Sequence, residues 1–164
     1  MIVLMAGLPG TGKSTLAQAL AGQTSGIIFD KDQLRAALFP PKEIEYSSAQ
    51  DDFCIQVALD AAAYVLRRDP ARFVFIDGRP FSKTPQLQQV LRAAEALGQP
   101  WKILECVCSE ATAKKRLSEQ ESEHPAANRD YALYLKIKAN WEEITLSKAV
   151  IHTDQPLDVV YSYR

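Results

Sequence analysis

Eight residues near the start of the chain, Gly7-Leu-Pro-Gly-Thr-Gly12-Lys13-Ser14, carry the pattern G-x-x-x-x-G-K-[ST], and each fixed position has a chemical reason. Glycines let the backbone fold tightly enough to turn N–H groups onto phosphate oxygens. A lysine at this place reaches the β- and γ-phosphates of a nucleotide, and a serine hydroxyl ligates Mg²⁺. The run Ile2–Ala6 ahead of the loop is apolar and strand-length, and Thr15–Ala21 behind it is helix-forming. The loop therefore opens onto a helix N-terminus and its partial positive charge. Gly7, Pro9, Gly10, Thr11, Gly12, Lys13, Ser14 and Thr15 are the expected contacts to ATP, with Ser14 also on the metal.

Four carboxylates follow predicted strands: Asp30, Asp32, Asp77 and Asp154. Asp32 and Arg35 stand three apart at a helix start and so share a face. A phosphotransferase acting on an alcohol needs a carboxylate to accept the hydroxyl proton and a cation to fix an anionic substrate. The same spacing also suits a helix-start Asp with a surface ion pair. Asp77 ends the apolar run Phe73–Ile76, where a carboxylate can hold Mg²⁺ through water or orient the substrate, or simply cap a turn. Arg79, on the turn Asp77-Gly78-Arg79-Pro80, points toward the expected acceptor cleft. Arg129 and Arg116 flank a polar stretch, residues 118–128, that reads as a lid, about 115–130, able to bring a cation onto the transferred phosphoryl group.

Other phosphate-loop classes fit less well. There is no N-K-x-D guanine reader, no D-x-x-G switch turn and no L-S-G-G-Q signature, and motors and helicases need longer chains. The loop Gly7–Ser14, a strand, and then Asp32-x-x-Arg35 resembles the small-molecule and polynucleotide 5′-hydroxyl kinases of the phosphate-loop class, zeta-toxin-like kinases among them. The resemblance implies that Asp32 is the general base and that Arg35 contacts substrate, with ATP and Mg²⁺ as cofactors. It also implies that the turn His152–Pro156 lies near the adenine, with no catalytic role for Asp154. Asp77-Gly78-Arg79-Pro80 is similar to the D-G-[FY]-P-R turn of adenylate kinases, but Arg79 replaces the aromatic residue and Phe81 the arginine. A nucleotide or adenylylsulfate kinase is thus a rival reading, a 5′-end nucleic-acid kinase another, and an ATP-binding switch a third. Arg35 and Arg79 together favour an anionic or phosphate-bearing acceptor. Tyr46, Gln50 and Asp51 fall in the region that covers the acceptor, with no diagnostic chemistry of their own.

Strands and helices must alternate to place these residues. The sequence predicts strands at about 2–6, 26–30, 73–77, 101–108 and 149–152. Helices are expected after the loop with a stop at Gly22, over Lys31–Leu38 up to Pro40-Pro41, and from a Ser48–Asp51 capping box to about Arg68, with Phe53, Val57 and Ala61, and Cys54, Ala58 and Ala62 beside them, as its apolar stripe. Further helices should start at Thr84-Pro85, at Ser109 and at Arg129 (to Glu143), with a last one over Leu157–Tyr163. Five strands each followed by helix give an α/β, three-layer phosphate-loop NTPase fold: a five-stranded parallel sheet, helices on both faces, and a short lid. Ligands bind beyond the carboxyl ends of such strands.

A chain of 164 residues fits one domain, 1–164. Net charge of −1 and a pI near 6.1 give no extended nucleic-acid surface. No apolar run suits a membrane span, and Met1–Ala6 is too short for a signal-peptide core. Cys54, Cys106 and Cys108 read as buried reduced thiols of a cytoplasmic protein, with Cys106 and Cys108 on the same side of one strand. His124 and His152 lack partners for a structural metal site. Oligomeric state leaves no mark in the sequence.

Overall fold

The computed structural model describes residues 1–120, 126 and 128–155. Five parallel strands, β1 (Ile2–Ala6), β2 (Ile27–Asp30), β3 (Val74–Asp77), β4 (Trp101–Val107) and β5 (Lys148–His152), form one sheet in the order β2-β3-β1-β4-β5. Strand β1 lies at the centre, all five of its residues buried, pairing Ile2 with both Val74 and Trp101. Its neighbours β3 and β4 diverge in sequence on either side, so the phosphate loop leaves β1 at a topological switch point, where ligands collect in open α/β sheets.

Alternation along the strands divides the core. Ile2, Leu4, Val74, Ile76 and Ile103 face the helices α3 (Ser48–Arg68) and α4 (Thr84–Ala96). Val3, Met5, Phe75 and Cys106 face α1 (Lys13–Thr24). Helices therefore cover both faces, as the sequence predicts. A smaller cluster, Ala113, Leu117 and Tyr134, joins α5 (Glu110–Gln120) to α6 (Tyr131–Ala139) beside Leu8 of the loop.

Several local expectations are corrected. Helix α1 passes through Gly22, which meets no neighbour that would mark a stop, and ends instead at Ser25 in the left-handed region. Ser47, one residue earlier than predicted, caps α3 by accepting from the Gln50 N–H. The buried stripe of α3 holds the expected Cys54, Ala58 and Ala62 together with Ile55, Leu59 and Leu66, while Phe53 is 53% exposed. Helix α6 is shorter than Arg129–Glu143 because Asp130 caps it and Asn140 ends it. Cys106 is buried against α1, but Cys108 lies past the end of β4 against the α5–α6 cluster. The helix expected over Leu157–Tyr163 lies outside the described residues.

Candidate active site

The phosphate loop is shaped by close approach. Gly7 has φ +138, and a Cβ there would meet the Cys106 carbonyl oxygen at 2.4 Å. Beyond it, Gly12 turns left-handed and α1 begins with neither a side-chain cap nor an acidic residue in its first turn. The first N–H groups of α1 have no intrahelical acceptor, whereas α2 (Lys31–Leu38), α3 and α6 all start on a side-chain cap. An anion is what such an end accepts.

Lys13 is buried and donates to the carbonyls of Gly7 and Leu8, each at 2.9 Å. Burial, with Arg129 nearby, pushes its ammonium down to about 8. Asp77 is 1% exposed at the end of β3, and its Oδ1 has no hydrogen-bond partner. A carboxylate oxygen buried without a partner is costly, and a metal with its water shell would satisfy it. The donor set (uncapped helix start, Lys13, Ser14, Asp77) fits a Mg²⁺-bound triphosphate on these observations.

Asp30 and Asp77 are register partners at the ends of β2 and β3. Asp30 is the cap of α2, accepting from the N–H groups of Asp32 and Gln33 at 2.7 and 3.1 Å. That cap aims the first turn of α2 into the cleft. Asp32 Oδ1 accepts from Arg35 Nη1 at 2.9 Å and lies 3.1 Å from Lys31 Nζ. Asp32 and Arg35 thus share a face as their spacing predicts, and both are buried. Arg35 also reaches Asp51 on α3, and its guanidinium stands 5.3 Å from the centre of the Tyr46 ring.

The turn after β3 is tight. Gly78 has φ +84, and a Cβ there would meet the Lys31 nitrogen at 2.7 Å and Asp30 Oδ1 at 2.8 Å. Arg79, 2% exposed, donates to Asp52 Oδ1 at 2.6 Å. The Pro80 carbonyl accepts from the Gly7 N–H at 3.0 Å, which bonds this turn to the phosphate loop. Phe81 is fully buried at φ +57, a strained conformation for a side-chain-bearing residue.

Several of these groups line one cavity of about 140 Å³, whereas Asp77 and Asp52 stand off its wall. Pro9, Lys13 and Ser14 bring the phosphate loop and the start of α1 to its wall, and Lys31, Asp32, Arg35 and Arg79 bring α2 and the turn after β3. Arg129 lines it too, held in the field of Asp32, Asp77 and Asp30, with its pKa lowered mainly by burial. Arg116 takes a different place. It donates to the Thr153 carbonyl at 2.6 Å and to the Gly10 carbonyl at 3.4 Å, behind the loop rather than on the cavity wall. Thr153 in turn donates to the Thr11 carbonyl at 2.7 Å. Asp154 accepts from Ser109 and Thr112 at the start of α5, a structural role. Of the lid expected at about 115–130, residues 121–125 and 127 lie outside the described residues, while Ala126, Asn128 and Arg129 line the cavity.

Sequence reasoning passed over Lys31 and Asp52, and placed Asp51 near the acceptor without a role. Lys31 follows a cap residue and could have been read from that position. Asp51 and Asp52 are brought in only by the packing of α3 against α2 and the β3 turn. Among the described residues, no helix is long and apolar enough to cross a membrane.

Comparison with known proteins agrees with this architecture. No curated protein matches the chain. Among solved structures, a gluconokinase from Sinorhizobium meliloti superposes with a TM-score of 0.66 at 16% identity, over 98% of this chain and 86% of that one. Kti12 of Chaetomium thermophilum, solved with ADP-AlF3, gives 0.69 at 14% identity over 99% and 94%. The Mycobacterium tuberculosis APS kinase CysC, solved with AMPPNP and APS, gives 0.65 at 15% identity over 98% and 93%. At these identities the likeness is one of fold, the five-stranded phosphate-loop kinase-like fold. The AAA domain family profile matches residues 2–143, a span that holds the phosphate loop, Asp32, Asp77 and Arg129, and the chain belongs to that family.

Proposed function

We propose that the protein is an ATP- and Mg²⁺-dependent kinase that transfers the γ-phosphoryl group to a hydroxyl of a small molecule or of a 5′-hydroxyl end. The observation that carries this reading is that the phosphate loop and the buried Asp32–Arg35 pair line one cavity, which gives it a donor end and an acceptor end on this reading. A nucleotide switch has no use for a buried carboxylate across from its phosphates. The fold shared with a gluconokinase and an APS kinase supports the reading, as does the resemblance to 5′-hydroxyl kinases over residues 2–35.

ATP supplies the transferred group, and Mg²⁺ neutralises charge that develops on its oxygens. The N–H groups at the start of α1 and the Lys13 ammonium would hold the phosphates, and Ser14 and Asp77 would hold the metal. Lys13 leaves the carbonyls of Gly7 and Leu8 to do so. Asp32 orients the attacking hydroxyl and takes its proton, a modest task because phosphoryl transfer depends chiefly on positioning and charge. Arg35 and Arg79 bind the acceptor. Arg129 enters from the exit of the 115–130 segment and stabilises the phosphoryl group in flight, while the segment itself acts as a lid that excludes water. Arg116 holds the loop from behind and contributes to catalysis through the loop's position.

The test is ADP release from ATP with pooled sugars, polyols, nucleosides and 5′-hydroxyl oligonucleotides. Release that rises only with an acceptor is expected, abolished by Lys13→Ala. Release at the same rate with and without every pool would leave a switch rather than a kinase.

A further inference from the structure

The acceptor end of the cavity is electrically balanced, and two residues without a part in the proposed reaction do the balancing. Lys31, Arg35 and Arg79 bring three positive charges there. Asp32 answers Arg35 at 2.9 Å and Lys31 at 3.1 Å. Asp51 answers the same two cations from α3, lying 3.0 Å from Lys31 and in direct contact with Arg35. Asp52, the next residue, answers Arg79 at 2.6 Å. The donor end differs: among the described residues, neither Lys13 nor Arg129 has a carboxylate at ion-pair distance, and their charge is left for a triphosphate.

An anionic acceptor in the cavity would have to displace Asp51 from Lys31 and Arg35 or lie against it, and it would meet an Arg79 whose charge Asp52 already answers from outside the cavity wall. Like charges brought together in a partly dehydrated site are strongly disfavoured. An uncharged polyhydroxyl compound meets no such conflict. Each of its hydroxyls donates and accepts, and the site offers both partners. Carboxylate oxygens of Asp32 and Asp51 accept. Lys31, Arg35 and Arg79, whose cationic side chains carry several N–H donors each, line the same wall and donate. The Tyr46 ring beside Arg35 adds an apolar face suited to ring C–H groups.

We propose that Asp51 and Asp52 are specificity-determining carboxylates, which hold the acceptor subsite near neutrality and select an uncharged polyhydroxyl acceptor over one bearing phosphate or carboxylate. The inference rests on the kinase reading of the cavity. It reverses the charge expectation drawn from Arg35 and Arg79 alone, because the carboxylates that answer them come from another helix.

Paired compounds test it: glucose with gluconate and glucose 6-phosphate, ribose with ribose 5-phosphate, and a 5′-hydroxyl oligonucleotide. Binding to the full chain is measured with a non-hydrolysable ATP analogue and Mg²⁺ present, so the ratio of affinities is read even where no phosphoryl group moves. ADP release with ATP is measured separately and judges the kinase reading itself. The uncharged member of a pair should bind about tenfold more tightly or better. Asp52→Asn, at a residue whose side chain is 57% exposed and whose loss leaves the core intact, should narrow that ratio by about threefold to tenfold, and Asp51→Asn combined with it should invert the ratio. Preference of the unmodified protein for the anionic members or the oligonucleotide would overturn the inference. So would an absence of binding across the uncharged set, or an unchanged ratio in a folded Asp52→Asn protein.

Discussion

Raising the pH should weaken nucleotide binding in a way that identifies Lys13. Its ammonium titrates at about 8 in the free protein, lowered from 10.5 chiefly by burial and then by Arg129. Phosphates placed against it favour the charged form, so the complex keeps the proton over a wider range. Apparent affinity then falls wherever the free protein has lost the proton and the complex retains it. Between about pH 7.5 and about pH 9 the charged fraction drops from roughly three-quarters to roughly one-tenth, an affinity loss of about eightfold, or about 1.3 kcal/mol. A lysine at the ordinary value would give almost no change over the same interval. The last phosphate proton of the nucleotide is already lost near pH 6 to 7, which keeps the nucleotide's own titration out of the window. Calorimetric titration of ADP in buffers of different ionisation enthalpy reads both quantities, and proton uptake should approach about one per nucleotide near pH 9. A flat affinity with no proton uptake would refute the assignment of Lys13 as a buried cation that must be charged to bind. The same depressed value carries a stability consequence. The unfolded chain holds the Lys13 proton up to about 10.5, so between about 8 and 10.5 the free protein should become more stable as pH rises.

Three further outcomes are expected. Asp32→Asn should lower turnover by about 10²- to 10⁴-fold while nucleotide affinity stays within about twofold, as measured by single-turnover kinetics and titration. Gly78→Ala should destabilise the protein by roughly 2–4 kcal/mol in denaturant unfolding, because φ +84 disfavours a side chain and its Cβ would meet Lys31 and Asp30 below 3 Å. Arg129→Ala should reduce kcat with little change in unfolding midpoint, whereas Arg116→Ala should cost roughly 1–3 kcal/mol of stability by leaving the Thr153 carbonyl and the loop unbraced.

What could be read from the chain was local. The phosphate loop is contiguous, and its strand and helix flank it directly. Helix α2 falls on its expected bounds, Lys31–Leu38, because a capping Asp30 and the Pro40-Pro41 pair mark its ends within a few residues. The buried face of α3 is legible only in part. With small apolar residues on most of its circumference, periodicity alone left its buried face ambiguous. Packing against α2, α4 and two strands decides that face, placing Phe53 outside and Ile55 inside. The acceptor end depended on that decision. Asp51 and Asp52 lie 16 and 27 residues from the arginines they pair with, and nothing local distinguishes them from Asp60, which faces solvent. Arg116 illustrates the opposite case: its place on a helix bordering the expected lid was legible, but its grip on Gly10 and Thr153 depends on the fold.

The hydrogen bond from the Gly7 N–H to the Pro80 carbonyl joins the first residue of the donor loop to the turn that carries Arg79. Its consequence concerns alignment. The γ-phosphate and the attacking hydroxyl must meet in line within a few tenths of an ångström, and here the two cradles that hold them are parts of one rigid piece, set when the chain folds rather than when the substrates arrive. Disturbing the Gly7–Pro80 joint would therefore leave both substrates bound and badly aimed at each other.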